Sequence, residues 1–298
     1  MEVEYGVGNK VGKFPIELFK FEMFLPNPSI VMIAKRGSGK SWVVRAILEY
    51  LKDLPAGCII SPTDLGNPFY GSFFPEAYIH YEFKPEIIKK ILDRQRIIKK
   101  KIKSGKNIDP RCYIIMDDCL ASKGAWIKDP DLKHIFFNGR HEAITYILTM
   151  QFSLGITPEL RSNFDYIFLL ADDMISNVKR LYDHYAGMFP TFDSFRQVFT
   201  QLTADHGAMV IVNRGTKKDF AEKIFWYKAG DIDKDNLKFG HKQFRTFHEK
   251  NFNENWQDKK EDLNADEYML RKKKKKAELL LIELLKVKQL KKMGLFNY

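Results

Sequence analysis

Short, nearly continuous apolar runs recur along the chain, separated by segments of helical length. Ser29–Ala34 (SIVMIA) is β-branched and apolar and stops at a glycine-rich turn, which predicts a buried strand. Residues 40–52 then place Val43, Val44, Ile47, Leu48 and Leu51 on one side of a helix. A second strand is expected over 57–62, closed by Pro62, and a third over Tyr113–Asp118 (YIIMDD), apolar until it ends in two aspartates. Ile144–Gln151 and Tyr166–Ala171 read as two more, and runs at 209–213 and 223–229 extend the sheet or form an edge hairpin. Strands without polar alternation, separated by helices, predict an α/β fold: a mostly parallel sheet covered on both faces.

The long segment between the second and third strands divides in two. Residues 61–82 are rich in Pro, Gly and aromatics and predict an irregular loop. Residues 84–111 set Ile87, Ile88, Ile91, Leu92, Ile97, Ile98 and Ile102 at helical spacing among lysines and arginines, a basic amphipathic helix. Beyond residue 230 the strand signal fades. The expected organisation is one α/β domain over 1–230, carrying the basic insertion. Residues 231–298 then form a polar linker, an RKKKKK run at 271–276 and a Leu-rich helix from Ala277 to about Lys292. Internal repeats are absent.

A composition of 45% hydrophobic and 14% aromatic residues excludes disorder across the whole chain. No run of 18 apolar residues occurs, so no transmembrane segment is expected, and the first residues do not read as a secretory leader. Cys58, Cys112 and Cys119 lie in or beside apolar strands, as small buried thiols do; neither a disulfide scaffold nor a zinc site fits them, and a reducing intracellular compartment does. The net charge of +11 is concentrated: residues 84–111 hold eleven basic side chains against three acidic, and residues 271–298 ten against two. Such segments attract phosphate backbones irrespective of base sequence, although each could also be a solvated helix face.

The chemistry begins at AKRGSGKS, Ala34, Lys35, Arg36, Gly37, Ser38, Gly39, Lys40 and Ser41, set between a strand and a helix. It matches the phosphate-binding pattern G-x-x-x-x-G-K-[ST] except that Ala34 replaces the first glycine. Backbone N–H groups there converge on an anion at a helix N-terminus. Lys40 is placed to reach the β- and γ-phosphates of ATP and the Ser41 hydroxyl to ligate Mg²⁺. Asp117, ending the acidic strand, should emerge at the same sheet edge and complete the Mg²⁺ shell. Asp118 is a base or orienter for the attacking water, or alternatively a helix N-cap. Gln151 ends the next strand and can contact the γ-phosphate or position water. Arg36, Arg140 and Arg161 are candidates for an arginine that stabilises the transition state; Arg140, in NGRH, is favoured as a residue supplied to a neighbouring subunit.

AKRGSGKS, YIIMDD and FNGRHEAITYILTMQ, in that order and spacing, resemble the packaging ATPases of nucleocytoplasmic large DNA viruses. These are the poxvirus-type virion ATPases within the FtsK–HerA group of P-loop motors, and the resemblance covers roughly residues 14–230. It implies a P-loop NTPase with a strand inserted beside the phosphate-loop strand, in the order 5-1-4-3-2. It also implies a homo-oligomeric ring that drives double-stranded DNA into a capsid. Lys40, Ser41, Asp117, Asp118 and Gln151 match the family's functional positions, with Asp118 standing where many relatives have Glu. Capsid or inner-membrane virion proteins are the implied partners, and the host cytoplasm (a viral factory) or the virion the implied location. The roughly 68 residues after 230 are Lys-rich without an acidic metal cluster, so no nuclease is expected. Two other functions stay open: a helicase-like or other NTPase that does not move DNA, and a nucleotide-gated assembly protein. The Leu-rich C-terminal helix could pack on protein, with the lysines near DNA, or lie on a membrane surface.

Overall fold

A computed structural model describes residues 1–7, 10–66, 68–119, 123–215, 220–233 and 237–253. The chain begins with an antiparallel hairpin of β1 (Glu2–Val7) and β2 (Lys10–Pro15). Eight further strands form one sheet: β3 (Ser29–Ile33), β4 (Gly57–Ile60), β5 (Ile79–His80), β6 (Cys112–Asp117), β7 (Ile144–Met150), β8 (Tyr166–Leu170), β9 (Ala208–Val212) and β10 (Ile224–Tyr227). Their order is β10-β9-β8-β3-β7-β6-β4-β5. All pairs from β8 to β5 are parallel, and β9 and β10 continue antiparallel beyond β8. Counting β3, β4, β6, β7 and β8 as one to five gives 5-1-4-3-2, the order expected, with an added hairpin on one edge and the short β5 on the other.

The strands are apolar throughout because both faces are covered. On β6, Cys112, Ile114 and Met116 enter one core while Tyr113 and Ile115 enter the other, the period-two alternation of a strand. The first core lies under α2 (Pro85–Lys103), α3 (Lys123–Trp126), α4 (Pro130–Asn138), α5 (Pro158–Arg161), α6 (Ile175–Tyr185) and α7 (Phe192–Leu202). The second lies under α1 (Lys40–Tyr50) and the aromatic segments around Phe19–Phe24 and Phe69–Phe74. Helix α2 buries Ile88, Leu92, Gln95 and Ile98, and Pro85 occupies its first turn, where a missing N–H costs nothing. Buried Gln95 donates to the carbonyls of Pro110 and Glu142, so this polar group inside the apolar stripe ties the helix to two loops.

Two features had no counterpart in the apolar pattern. The N-terminal hairpin docks on α7, where the Gln201 amide both accepts from Glu4 N and donates to Glu4 O, 3.0 and 2.7 Å away. Residues 237–250 pack on the sheet domain: Phe239 is buried between Phe73 and Phe74, and α8 (Lys242–Asn251) stacks Phe244 on Tyr78 with ring centroids 3.6 Å apart. The compact unit accordingly runs over Met1–Lys250. The RKKKKK run and the C-terminal Leu-rich helix lie outside the described residues. All three cysteines are buried and form no disulfide among the described residues, and burial pushes the Cys112 thiol up to about 12, as suits inert structural thiols. Among the described residues no helix is long and apolar enough to cross a membrane.

Candidate functional site

Parallel strands deliver their carboxyl ends to a common edge, and the expected chemistry gathers there. Leaving β3, Ala34 still pairs with the sheet, its N–H donating to Met150 O at 2.9 Å, and its side chain is buried in the core. Its φ is not positive, so the position that departs from the glycine pattern needs only a small residue. The turn proper comes at Gly37 (φ 77°) and Gly39 (φ 99°), conformations costly to residues with a Cβ. Ser38 braces the loop by donating from Oγ to Lys35 O at 2.6 Å. Lys40 and Ser41, which open α1 beyond Gly39, line the cleft.

The two glycines differ in surroundings. A Cβ on Gly37 would meet nothing within 4 Å, whereas one on Gly39 would lie 3.2 Å from His206 Cβ. Gly37→Ala is therefore expected to cost about 1–2 kcal/mol of backbone strain. Gly39→Ala adds a steric push against His206, and should lower both melting temperature and nucleotide affinity further, by calorimetry on the pair of variants. Equal losses would show that the His206 contact is without consequence.

Lys40, Asp117, Asp118 and Gln151 meet in one cluster. Lys40 Nζ lies 3.0 Å from Asp117 Oδ1 and 2.5 Å from Asp118 Oδ2, and Gln151 Nε2 donates to that same Asp118 oxygen at 3.2 Å. The three charged side chains are 10–16% exposed. Burial works against the Lys40 charge, but Asp117 and then Asp118 outweigh it and raise its pKa above the ordinary 10.5. A raised lysine pKa means the pairing is at full strength below that ordinary value and fades only as pH climbs through the raised one. Lys40 is thus an ammonium throughout the neutral range.

Asp118 is left-handed (φ 51°), a conformation aspartate tolerates better than most residues. Its Oδ1 is buried with no hydrogen-bond partner among the described residues, an oxygen left for a water or a metal.

Two further residues join this cluster that the motifs did not single out. Thr149 faces Asp117 in the β6–β7 register, donates from Oγ1 to Asp117 Oδ1 and accepts from Asp118 N at 3.3 Å. Ser61, just past β4, lies 3.5 Å from Asp117 Oδ2. A hydroxyl two residues before Gln151, and so on the same face of its strand, was the available clue to Thr149. His206, Lys228 and Asp231 also line the cleft, from loops flanking β9 and β10.

The cleft has a volume of about 1000 Å³ and is lined by Ala34, Lys35, Arg36, Gly37, Gly39, Lys40 and Ser41 together with Asp117, Asp118 and Gln151. Exposed Lys35 forms an ion pair with Asp173, which follows β8. Of the three candidate arginines, Arg36 lines the cleft. Arg161 lies with its guanidinium 5.6 Å from the Tyr185 ring centre. Arg140 lies before the amino end of β7, at the opposite edge of the sheet, 4.0 Å from Asp165, which also holds Arg214 at 2.9 Å. Arg140 therefore does not reach this cleft within its own chain, because the whole of β7 separates it from Gln151.

Strand order, loop and acid pair together define a P-loop NTPase fold of the kind with an inserted strand. No family model matches the chain. It is 48% identical to protein L437 of Acanthamoeba polyphaga mimivirus, over 81% of this chain and 85% of the relative. It is 34% identical to protein 075L of invertebrate iridescent virus 6, over 76% and 87%. The chain belongs to the family these proteins of large DNA viruses form. Among solved structures it is similar to B204, the DNA-packaging ATPase from Sulfolobus turreted icosahedral virus, at 14% identity over 69% of this chain and 99% of that one, with a TM-score of 0.49. It is also similar to the pCW3 conjugation coupling protein TcpA, at 14% identity over 78% and 67%, with a TM-score of 0.47.

Proposed function

We propose that this protein hydrolyses ATP to move double-stranded DNA during viral genome packaging. The observation that carries the reading is the gathering of Lys40, Asp117, Asp118 and Gln151 at the edge where the glycine turn opens α1. Lys40 and the loop amides would hold the phosphates, and Asp118, oriented by Gln151, would take a proton from the attacking water. Ser41 and Asp117 offer the hard oxygen ligands Mg²⁺ prefers, with the unpartnered Asp118 Oδ1 beside them. When bound, the ion would neutralise developing phosphate charge. Lys40 now occupies both acids, so entry of a nucleotide would draw its ammonium toward the phosphates.

The family's viral membership supports a role in virus assembly, in the infected cell or the virion. The DNA contact is assigned to the basic insertion, where Lys89, Lys90, Lys100, Lys101 and Lys103 are exposed along α2 and carry no ion pair among the described residues. Arg140, exposed at the far edge, is offered to the site of a neighbouring copy in a ring, with capsid or virion inner-membrane proteins as further partners.

The test is ATP turnover with and without double-stranded DNA of mixed sequence. Stimulation by any sequence is expected, falling steeply with salt. Replacing Lys100, Lys101 and Lys103 together by Ala should leave basal turnover unchanged. The salt slope of DNA binding should then fall by about one for each phosphate these lysines neutralise. Turnover indifferent to DNA at low salt would favour an NTPase that does not move DNA, and ATP binding without turnover a nucleotide-gated assembly protein.

A further inference from the structure

The cleft is longer than its phosphate-binding part, and the strand order says which end is which. β3, which feeds the loop, has β7 and then β6 on one side and β8, β9 and β10 on the other. The acid pair and Gln151 stand at the β6–β7 side, so the γ-phosphate end of a bound nucleotide points there. The phosphate chain must then run back across the loop toward β8. Because β9 is antiparallel to β8, with Ala208 opposite Leu170, the residues before β9 return to this same edge. Because β10 pairs antiparallel with β9, with Tyr227 opposite Ala208, the residues after β10 do so too. His206, Lys228, Ala229 and Asp231 line the cleft from these two places, which no spacing rule in the sequence links to the glycine loop.

The backbone before β9 is unusual. Asp205 and His206 are consecutive non-glycine residues in the left-handed region, at φ 50° and 61°. Such conformations are costly for residues with a Cβ and persist only where the surroundings hold them. Here Asp205 is tied to Lys228 across the β9–β10 hairpin by an ion pair. The turn brings His206 against the glycine loop, so that its Cβ lies 3.2 Å from where a Cβ on Gly39 would stand. The result is an exposed imidazole beside the loop, carried by the strand beyond β8.

We propose that His206 is the nucleoside-binding residue of this site, its ring stacking on the base of the bound nucleotide, with Lys228 and Asp231 closing the same wall. The inference rests on the glycine loop holding phosphates and goes beyond it by assigning the other end of the ligand. An aromatic ring on a base supplies affinity by area and π-contact without touching a phosphate. His206 thus contributes to holding ATP or ADP and nothing to holding their phosphate chain alone. The cleft has a second aromatic arm, Trp42 in the first turn of α1 and Phe69, with the Arg45 guanidinium against both rings.

The discriminating experiment compares Mg·ATP, Mg·ADP and inorganic tripolyphosphate by calorimetry on the full chain. His206→Asn keeps a residue that tolerates the left-handed turn and removes the stacking ring. It is expected to weaken ATP and ADP about tenfold, within the range of base-on-aromatic stacking, and to leave tripolyphosphate within twofold. His206→Ala should give the same pattern, with melting temperature confirming the fold of both variants. Unchanged ATP affinity would overturn the proposal. So would an equal loss for tripolyphosphate, which would make His206 a support for the loop. A nucleoside-selective loss in Trp42→Ala but not in His206→Asn would place the base at the other arm and overturn it equally. Failure of the unaltered protein to bind either ATP or tripolyphosphate is a separate result, and it would sink the phosphate loop itself.

Discussion

Lys40→Ala is expected to lower Mg·ATP affinity at least a hundredfold, to bring turnover to background, and to destabilise the protein. The first two effects follow from the role proposed for Lys40 in holding the phosphates. The third follows from the geometry around it. Asp117 and Asp118 side chains are 10% and 13% exposed, adjacent, and share Lys40 as their cation. Without it two neighbouring carboxylates face each other in a poorly solvated cleft. Removing one partner of a buried ion pair costs about 3–5 kcal/mol, and the open mouth of the cleft places this case near the lower end. A loss of about 3 kcal/mol corresponds to a melting shift of roughly 6–12 °C for a domain of this size. Mg²⁺ alone should restore part of that loss in Lys40→Ala, because a divalent ion replaces the missing positive charge. Differential scanning calorimetry with and without Mg²⁺ checks this. An unshifted melting temperature would mean that the Lys40 pairing is not populated in solution.

Asp118→Asn separates chemistry from binding. The amide is isosteric, and Gln151 can turn its own amide to keep the contact now made at 3.2 Å. Lys40 also keeps Asp117 at 3.0 Å. The fold and Mg·ATP affinity should therefore change by no more than a few-fold. Hydrolysis should fall by about a hundredfold or more, the usual scale for removing a positioned proton acceptor. Single-turnover hydrolysis beside equilibrium binding reads both quantities. A variant that turns ATP over at the parental rate would remove Asp118 from the chemistry and leave it as a turn residue whose side chain steadies Lys40.

Much of this architecture was legible in the residue pattern. The five core strands and α1 fall within one or two residues of the positions the apolar runs indicate, since a strand buried on both faces must be apolar along its whole length. The loop, the acid pair and Gln151 were legible for a different reason: each is a polar group at the end of an apolar strand, and parallel strands bring such ends to one edge. Thr149 was hidden, because a lone hydroxyl in a strand reads as β-propensity until the register sets it opposite Asp117. Arg140 shows what the sequence leaves undetermined. Nearness in sequence to a strand that ends in the site says nothing of nearness in space, since seven residues of extended chain carry it to the far edge.

What the amino-acid order determined alone is local: which segments are strands, where the backbone turns at Gly37 and Gly39, and which side chains bear charge at strand ends. Only tertiary structure decided that Lys40 rests between Asp117 and Asp118, that residues 237–250 cover the aromatic core, and that His206 stands over the loop. Each of those contacts joins positions scores of residues apart. Periodicity reports which face of its own element a residue occupies, and strand order across the sheet then selects what it meets.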